Sequence, residues 1–261
     1  MAEVEYHREG AIGVIRLNRP HRRNALTREM LAEIARLSRQ VSDEEAVRAV
    51  VFEAEGSDFS VGADLQDPPS RREGASLLAR RRAAAFGAQV VRSVIEIPQP
   101  TICAVQGVAT GGGACIASAC DFRIAATGAR LGYGEVRLGM NLMWNAAGLC
   151  LHLVGPSRAK QMIMTGRLFD CSTLERWGFV DQVVEATGLR EAARVMAGEY
   201  AALPPNAVQM IKSTLNHLSQ ALDGSVLHMD ADQWVLAAGS GDYREAVNAF
   251  FEKRPGRFTG D

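Results

Sequence analysis

The sequence lacks long apolar runs, paired cysteines and an excess of charge of either sign. No stretch of its 261 residues approaches the roughly 18 uninterrupted apolar residues of a membrane-spanning helix. Lys and Arg number 29 against 30 Asp and Glu, so we expect neither nucleic acid nor a membrane surface as a partner. The five cysteines form no C-x-x-C pair, and the N-terminal MAEVEYHREG is too charged for a secretory signal. We therefore expect a soluble, cytoplasmic protein without a disulfide framework.

Motifs for nucleotide, metal and serine-triad chemistry are missing as well. The glycine run at 111–113 lacks the G-x-G-x-x-G spacing, and no glycine loop is followed by G-K-[ST]. The five histidines are scattered without metal-ligand spacing, and no G-x-S-x-G elbow occurs. The sequence thus predicts no metal site.

Strands that alternate with helices predict an α/β fold with a largely parallel sheet. Thr27 can cap a helix with a periodic apolar face, and the glycine run should open another helix that continues through Ala119. The polar segment 67–75, which contains prolines, is predicted to be a mobile loop. Strands are expected over 12–17, 48–53 (buried on both faces), 101–105, 121–126 and 180–184, and a further helix over 76–95.

Beyond about residue 188 only helices are predicted, over 189–201, 205–220, 225–238 and 242–252. A helical layer of this kind exposes an apolar face when it stands alone. We therefore expect it to pack on the core or on a neighbouring subunit.

Two glycine-bearing turns follow strands and are the strongest candidates for a functional site. One contains Gly62, and the other carries the glycine run into a helix. Glycine lets backbone N–H groups approach a ligand closely, and a helix N-terminus favours negative charge. Two such donors that converge form an oxyanion hole, whereas a single glycine-rich turn of this kind is more often a packing device.

Linked motifs along the whole chain resemble those of the enoyl-CoA hydratase/isomerase (crotonase) family. They are LNRP with NAL (17–20 and 24–26), FSVGADL (59–65), AVQGVATGGG (104–113), CDFRIA (120–125), GYGEVRLG (132–139) and FFEKRPGRFTG (250–260). The resemblance implies a spiral of β-β-α units, with a core over 1–200 that holds an acyl-CoA site. It also implies a helical region over 201–261 for oligomerisation and active-site closure, in a homotrimer or a dimer of trimers.

Positions that match the family's motifs imply roles for individual residues. The backbone N–H groups of Ala63 and Gly112 would hold the thioester oxygen of a CoA ester and stabilise its enolate, with no metal or redox cofactor. Arg22 or Arg23 would meet the CoA phosphates, although both can equally be surface charges. Lys253 could reach CoA from a neighbouring subunit. The remaining CoA-binding candidates are Ser60, Gly62, Asp64 and Leu65.

Glu135 stands at the second of the two glutamate positions that the family's hydratases use, and Cys115 stands at the first. A neutral thiol cannot take the place of a carboxylate that positions water, so Cys115 is interpreted as a small pocket residue rather than a nucleophile. One carboxylate with a raised pKa suffices to move a double bond, because it removes an α-proton and returns it at the γ-carbon. Bulky residues replace the family's usual glycine-rich turn after Glu135, so the acyl pocket should have a different shape. The pocket would include Met140, Asn141, Trp144 and Asn145. The two asparagines would bind a polar acyl group or cap the next helix.

Several activities share this enolate chemistry and remain open at this stage. Isomerisation, or an atypical hydration that is weak on crotonyl-CoA, is the preferred hypothesis. A CoA-thioester hydrolase or decarboxylase of the same superfamily is the alternative, and so is a non-catalytic acyl-CoA-binding member.

Overall fold

Two sheets carry the strands of the structure, a computed structural model that describes residues 2–65 and 74–261. The strands are β1 (Val4–Glu9), β2 (Ile12–Leu17), β3 (Ala49–Ala54), β4 (Thr101–Val105), β5 (Val108–Thr110), β6 (Phe122–Ala126), β7 (Arg130–Gly132), β8 (Phe169–Asp170) and β9 (Gln182–Val184). The larger sheet has the order β1-β2-β3-β4-β6-β9 and is parallel except for the β1–β2 hairpin. The smaller sheet has the order β5-β7-β8.

Helices surround the larger sheet and confirm the predicted α/β class. They are α1 (Arg28–Ser42), α2 (Leu77–Ile95), α3 (Gly112–Ala119), α4 (Ala146–Thr165), α5 (Cys171–Trp177), α6 (Leu189–Ala201), α7 (Pro205–Ser219), α8 (Asp230–Ala238) and α9 (Gly241–Glu252). Helix α4 is bent at Gly155, before Pro156, because proline lacks the N–H that would continue the ladder. Over residues 2–65 and 74–261, no helix combines the length and apolar content needed to cross a bilayer.

Burial on both faces explains why β3 is a continuous apolar run. Val50 and Phe52 belong to the main core, whereas Val51 points to the opposite face. There it packs in a second cluster with Leu189 and Ala193 of α6. Because strand side chains alternate, a strand between two helical layers needs apolar residues at every position.

Helix caps account for the accuracy of several predicted bounds. The Thr27 hydroxyl accepts the N–H of Met30 at 3.1 Å, as predicted. Ser76 and Ser240 cap α2 and α9 in the same way. A side-chain acceptor satisfies one of the N–H groups that have no partner in the first turn, which fixes where a helix begins.

Other elements differ from the predictions. The helix predicted over 225–238 starts too early, because 3-10 turns at Asp223–Ser225 and Leu227–Met229 precede α8, which covers Asp230–Ala238. Strands β1, β5, β7 and β8 and helix α5 had no predicted counterpart, and α4 was expected only as a helix after Asn145, without bounds. Residues 67–73 of the predicted loop lie outside the described ranges. The division at residue 200 stays a prediction, although α8 packs on α2 and α9 packs on the turn Glu135–Leu138.

Candidate active site

The two predicted glycine turns lie against each other. The Ser60 N–H donates to Val108 O at 3.1 Å, and Thr110 N–H donates to Ser60 O at 3.0 Å, so this segment runs beside β5. Gly62 has φ +88°, and a Cβ placed on it would lie 3.3 Å from the amide nitrogen of Gly112. The close approach therefore requires glycine at position 62.

The amides of Ala63 and Gly112 have no acceptor among the described residues. On either side of Ala63, the Leu26 N–H donates to Gly62 O at 2.8 Å and Asp64 N–H donates to Leu26 O at 3.0 Å, which leaves the amide between them unused. Gly112 is the first residue of α3, where backbone N–H groups have no partner within the helix. Two unused donors thus stand on adjoining turns.

Asn24 organises the first turn, a role that the sequence reasoning did not assign. Its side chain is fully buried and donates to the backbone oxygens of Glu55 at 2.8 Å and Asp58 at 2.9 Å. Its Oδ1 accepts the N–H of Arg19 at 2.7 Å, and its own carbonyl accepts the Ser60 hydroxyl at 2.7 Å. The signal that could have revealed this role is the NAL motif itself. A buried asparagine with φ +53° is suited to hydrogen-bond several backbone segments at once.

Glu135 lies at the start of the 3-10 turn that packs against α9. A Cβ placed on Gly111 would lie 3.4 Å from Glu135 Oε1, so the carboxyl group reaches the second glycine turn. Its Oε2 is inaccessible to solvent and has no hydrogen-bond partner among the residues that the structure describes. Burial raises the pKa of the Glu135 carboxyl from 4.5 to about 7. Such a group can exchange a proton near neutral pH.

Cys115 is buried one turn into α3, close to Glu135. Burial and then the nearby carboxyl groups of Glu135 and Asp230 raise the pKa of its thiol well above the usual value. The thiol is therefore protonated at neutral pH. This environment agrees with the interpretation of Cys115 as a pocket residue, because a nucleophilic cysteine needs a lowered pKa.

The segment 140–145 connects the Glu135 turn to α4 and brings the predicted acyl-pocket residues together. Trp144 is buried and its indole rests on Gly112. Met140 Sδ accepts the indole N–H of Trp234 at 2.9 Å, and Asn141 donates to the backbone oxygen of Asp230 at 3.4 Å. The Asn145 side chain makes no cap bond to α4 and lines a cavity instead, which removes the capping role considered for it.

The predicted CoA contacts occupy varied environments. Ser60 is fully buried, and its hydroxyl accepts the Gly62 N–H at 3.2 Å and donates to the Asn24 carbonyl at 2.7 Å. Asp64 is buried and pairs with Arg19 at 2.8 Å. Arg23 is exposed and pairs with Asp58 at 2.8 Å. Leu65 is half-buried, whereas Arg22 and Lys253 are exposed, the latter just after α9.

Asp230 is a pocket residue that the sequence reasoning missed. It lies at the start of α8, is buried, and its Oδ2 accepts the Asn145 N–H at 3.0 Å. Burial raises the pKa of its carboxyl group. No local pattern marks it, because only the packing of α8 on the core brings it to the site.

A model of the family described as enoyl-CoA hydratase/isomerase matches residues 7–261. The chain is 32% identical over 254 residues to 1,2-epoxyphenylacetyl-CoA isomerase of Escherichia coli (strain K12), covering 97% of each chain. It is also 32% identical over 252 residues to crotonyl-CoA hydratase of Syntrophomonas wolfei subsp. wolfei, covering 96% of this chain and 95% of the other. These relatives include both an isomerase and a hydratase.

Solved structures give the same result for the fold. An enoyl-CoA hydratase/isomerase from Pseudoalteromonas atlantica T6c superimposes with a TM-score of 0.87 at 25% identity, covering 99% of this chain and all of the other (100%). An enoyl-CoA hydratase from Mycobacterium avium subsp. paratuberculosis K-10 gives a TM-score of 0.88 at 24% identity, covering 99% of both chains. The predicted crotonase fold is confirmed.

Proposed function

The chain belongs to the enoyl-CoA hydratase/isomerase family, and we propose that within it the protein is an enoyl-CoA isomerase that uses Glu135 as its single acid/base. The observation that carries the proposal is the carboxyl group of Glu135. It is buried beside the paired glycine turns, its Oε2 has no hydrogen-bond partner within 2–65 and 74–261, and burial raises its pKa from 4.5 to about 7. No second carboxylate occupies the position of Cys115.

In the proposed mechanism, the N–H groups of Ala63 and Gly112 donate to the thioester oxygen of the bound CoA ester. When a base removes the α-proton, negative charge moves onto that oxygen, and fixed donors stabilise it most strongly at this stage. Donors held in place by the fold need no reorganisation during the reaction. Loss of one such donor typically lowers the rate by about 10²–10³.

Ionised Glu135 then accepts the α-proton and returns it to the γ-carbon, which moves the double bond from the β,γ to the α,β position. A pKa near 7 suits a group that must both take and give a proton at neutral pH. Hydration requires a further group that positions water. The neutral thiol of Cys115 does not provide it, so hydration of crotonyl-CoA should be weak.

The test compares the isomerisation of but-3-enoyl-CoA with the hydration of crotonyl-CoA on the same preparation. We expect isomerisation in the wild-type protein, its loss in Glu135→Gln, and retention within a few-fold in Cys115→Ala. Hydration at the rate of a two-glutamate hydratase, or equal loss in both variants, would contradict the assignment of a single carboxylate.

The CoA moiety is proposed to lie along the turn after Asn18, with Arg22 or Arg23 and Lys253 meeting its phosphates. Arg23 is tied to Asp58, whose side chain is mostly buried, so its guanidinium is positioned but partly neutralised. Arg22→Ala and Lys253→Ala should therefore raise KM for the CoA ester while kcat changes little. An unchanged KM in both variants would remove these residues from the CoA site.

Self-association as a trimer or a dimer of trimers is proposed for the C-terminal helices. Helix α7 has no buried residue in the single chain. Its apolar side chains and one that follows it are widely exposed: Met210 at 70%, Ile211 at 59%, Leu215 at 59%, Leu218 at 71% and Leu222 at 81%. An apolar surface of this kind favours burial against another subunit.

A further inference from the structure

The indole of Trp144 is wedged between two helices that have glycine at the points of contact. A Cβ placed on Gly87 of α2 would lie 1.9 Å from Trp144 Nε1. A Cβ placed on Gly112 of α3 would lie 2.5 Å from Trp144 Cη2 and Cζ3. Both helices thus omit a side chain where the ring lies. The contact also explains a glycine in the middle of α2, which otherwise weakens a helix.

Beyond the indole lies a cavity of about 320 Å³ between α2 and the start of α8. Trp144 lines this cavity together with Ala84 and Ala88 of α2, whereas Ala63, Gly112 and Glu135 do not. The ring therefore stands between the paired turns and this further space. An acyl chain attached to a thioester at the turns would have to pass the ring to enter this space.

The backbone around Trp144 is strained and tied down. Trp144 and Asn145 have φ +63° and +60°, a left-handed conformation that non-glycine residues rarely adopt. The carboxyl group of Asp230 accepts the Asn145 N–H at 3.0 Å, and Asn141 donates to the Asp230 backbone oxygen at 3.4 Å. Strained residues that the surroundings hold in place are concentrated at functional sites. The indole is accordingly a fixed wall.

We propose that Trp144 closes the acyl pocket and restricts the enzyme to short acyl chains such as butanoyl, with Asp230 as the residue that positions it. This inference rests on the proposed function, because the acyl chain is placed by the thioester site. Removal of the ring would connect the pocket to the cavity beyond. Each methylene that then becomes buried should increase affinity about fourfold.

The experiment measures the binding of butanoyl-CoA and decanoyl-CoA by calorimetry, since saturated esters bind without turnover. In the wild-type protein, decanoyl-CoA should bind no more tightly than butanoyl-CoA. In Trp144→Ala, the affinity for decanoyl-CoA relative to that for butanoyl-CoA should rise at least tenfold. Trp177→Ala is the matched control, because this tryptophan packs on Phe169 and does not line the cavity beyond Trp144.

Asp230 gives a second route to the same result. Asp230→Ala removes the acceptor of the Asn145 N–H and should relax chain-length discrimination, whereas Asp230→Asn keeps an acceptor oxygen and should restore it. Trp144→Phe, which keeps an aromatic ring, should give an intermediate selectivity and decides the matter if the alanine variant folds poorly.

Two results would overturn the inference alone. One is tenfold tighter binding of decanoyl-CoA than butanoyl-CoA by the wild-type protein, and the other is an unchanged ratio in the Trp144 variants. Failure of every CoA ester to bind the wild-type protein would instead contradict the proposed function, and the inference with it.

Discussion

Replacement of Glu135 by glutamine should abolish activity and at the same time stabilise the fold at alkaline pH. The carboxyl group is buried, and no described residue forms a hydrogen bond with its Oε2. When it is ionised it therefore carries a desolvation penalty that a neutral amide of the same shape does not. Activity is lost because glutamine cannot accept the α-proton.

The size of the effect follows from the pKa. A rise from 4.5 to about 7, at 1.36 kcal/mol for each pKa unit, corresponds to roughly 3 kcal/mol. Between these two pH values the folded state binds more protons than the unfolded chain, so the free energy of unfolding falls as pH rises. The protonated carboxyl group contributes its full stabilisation to the free energy of unfolding below about pH 4.5, and this stabilisation is lost above about pH 7.

Urea unfolding of the wild-type protein and of Glu135→Gln at pH 5 and pH 8, at one protein concentration, measures this contribution. The free energy of unfolding of the variant minus that of the wild type should be roughly 2–3 kcal/mol larger at pH 8 than at pH 5. Other titrating groups are common to both proteins and cancel in the comparison. A pH-independent difference between the two proteins would show that Glu135 is not held in a desolvating site.

Three further predictions concern the pH profile, the first glycine turn and the C-terminal helices. For isomerisation, kcat/KM should fall about tenfold per pH unit below about 7, because only ionised Glu135 accepts a proton; a flat profile down to pH 5 would contradict this. Gly62→Ala should lower kcat/KM by about 10² or more, since its Cβ would lie 2.9 Å from Thr110 O and displace the turns; kinetics at wild-type level would refute the contact. Leu218→Glu should dissociate the assembly, as measured by light scattering, whereas Met164→Glu, an equally exposed apolar site at 68% on α4, serves as the control.

The sequence predicts most of what local chemistry determines. The bounds of β2 and α6 and the start of α1 follow from apolar periodicity and from the Thr27 cap. Strands β7 and β8 are two to three residues long and exist only because each pairs with another strand. Periodicity over so short a stretch carries no signal, since tertiary pairing decides it.

The same distinction holds for the candidate site. Glu135 and the glycine turns could be located because motif residues around them are close in sequence. The role of Asp230 and the position of the Trp144 indole between Gly87 and Gly112 could not be located in this way. Both arise from packing between helices that are distant in sequence. The predicted start of the 225–238 helix was wrong for a related reason: the chain forms a 3-10 turn before Asp230, whose carboxyl group accepts the Asn145 N–H.

Proton exchange on a saturated CoA ester tests the central claim most directly, because it reports enolate formation whatever the physiological reaction is. With butanoyl-CoA in D₂O, NMR should show deuterium entering the α-carbon in the presence of the wild-type protein and not with Glu135→Gln, although both bind the ester. Exchange that persists in Glu135→Gln, or its absence in a wild-type protein saturated with the ester, would contradict the account.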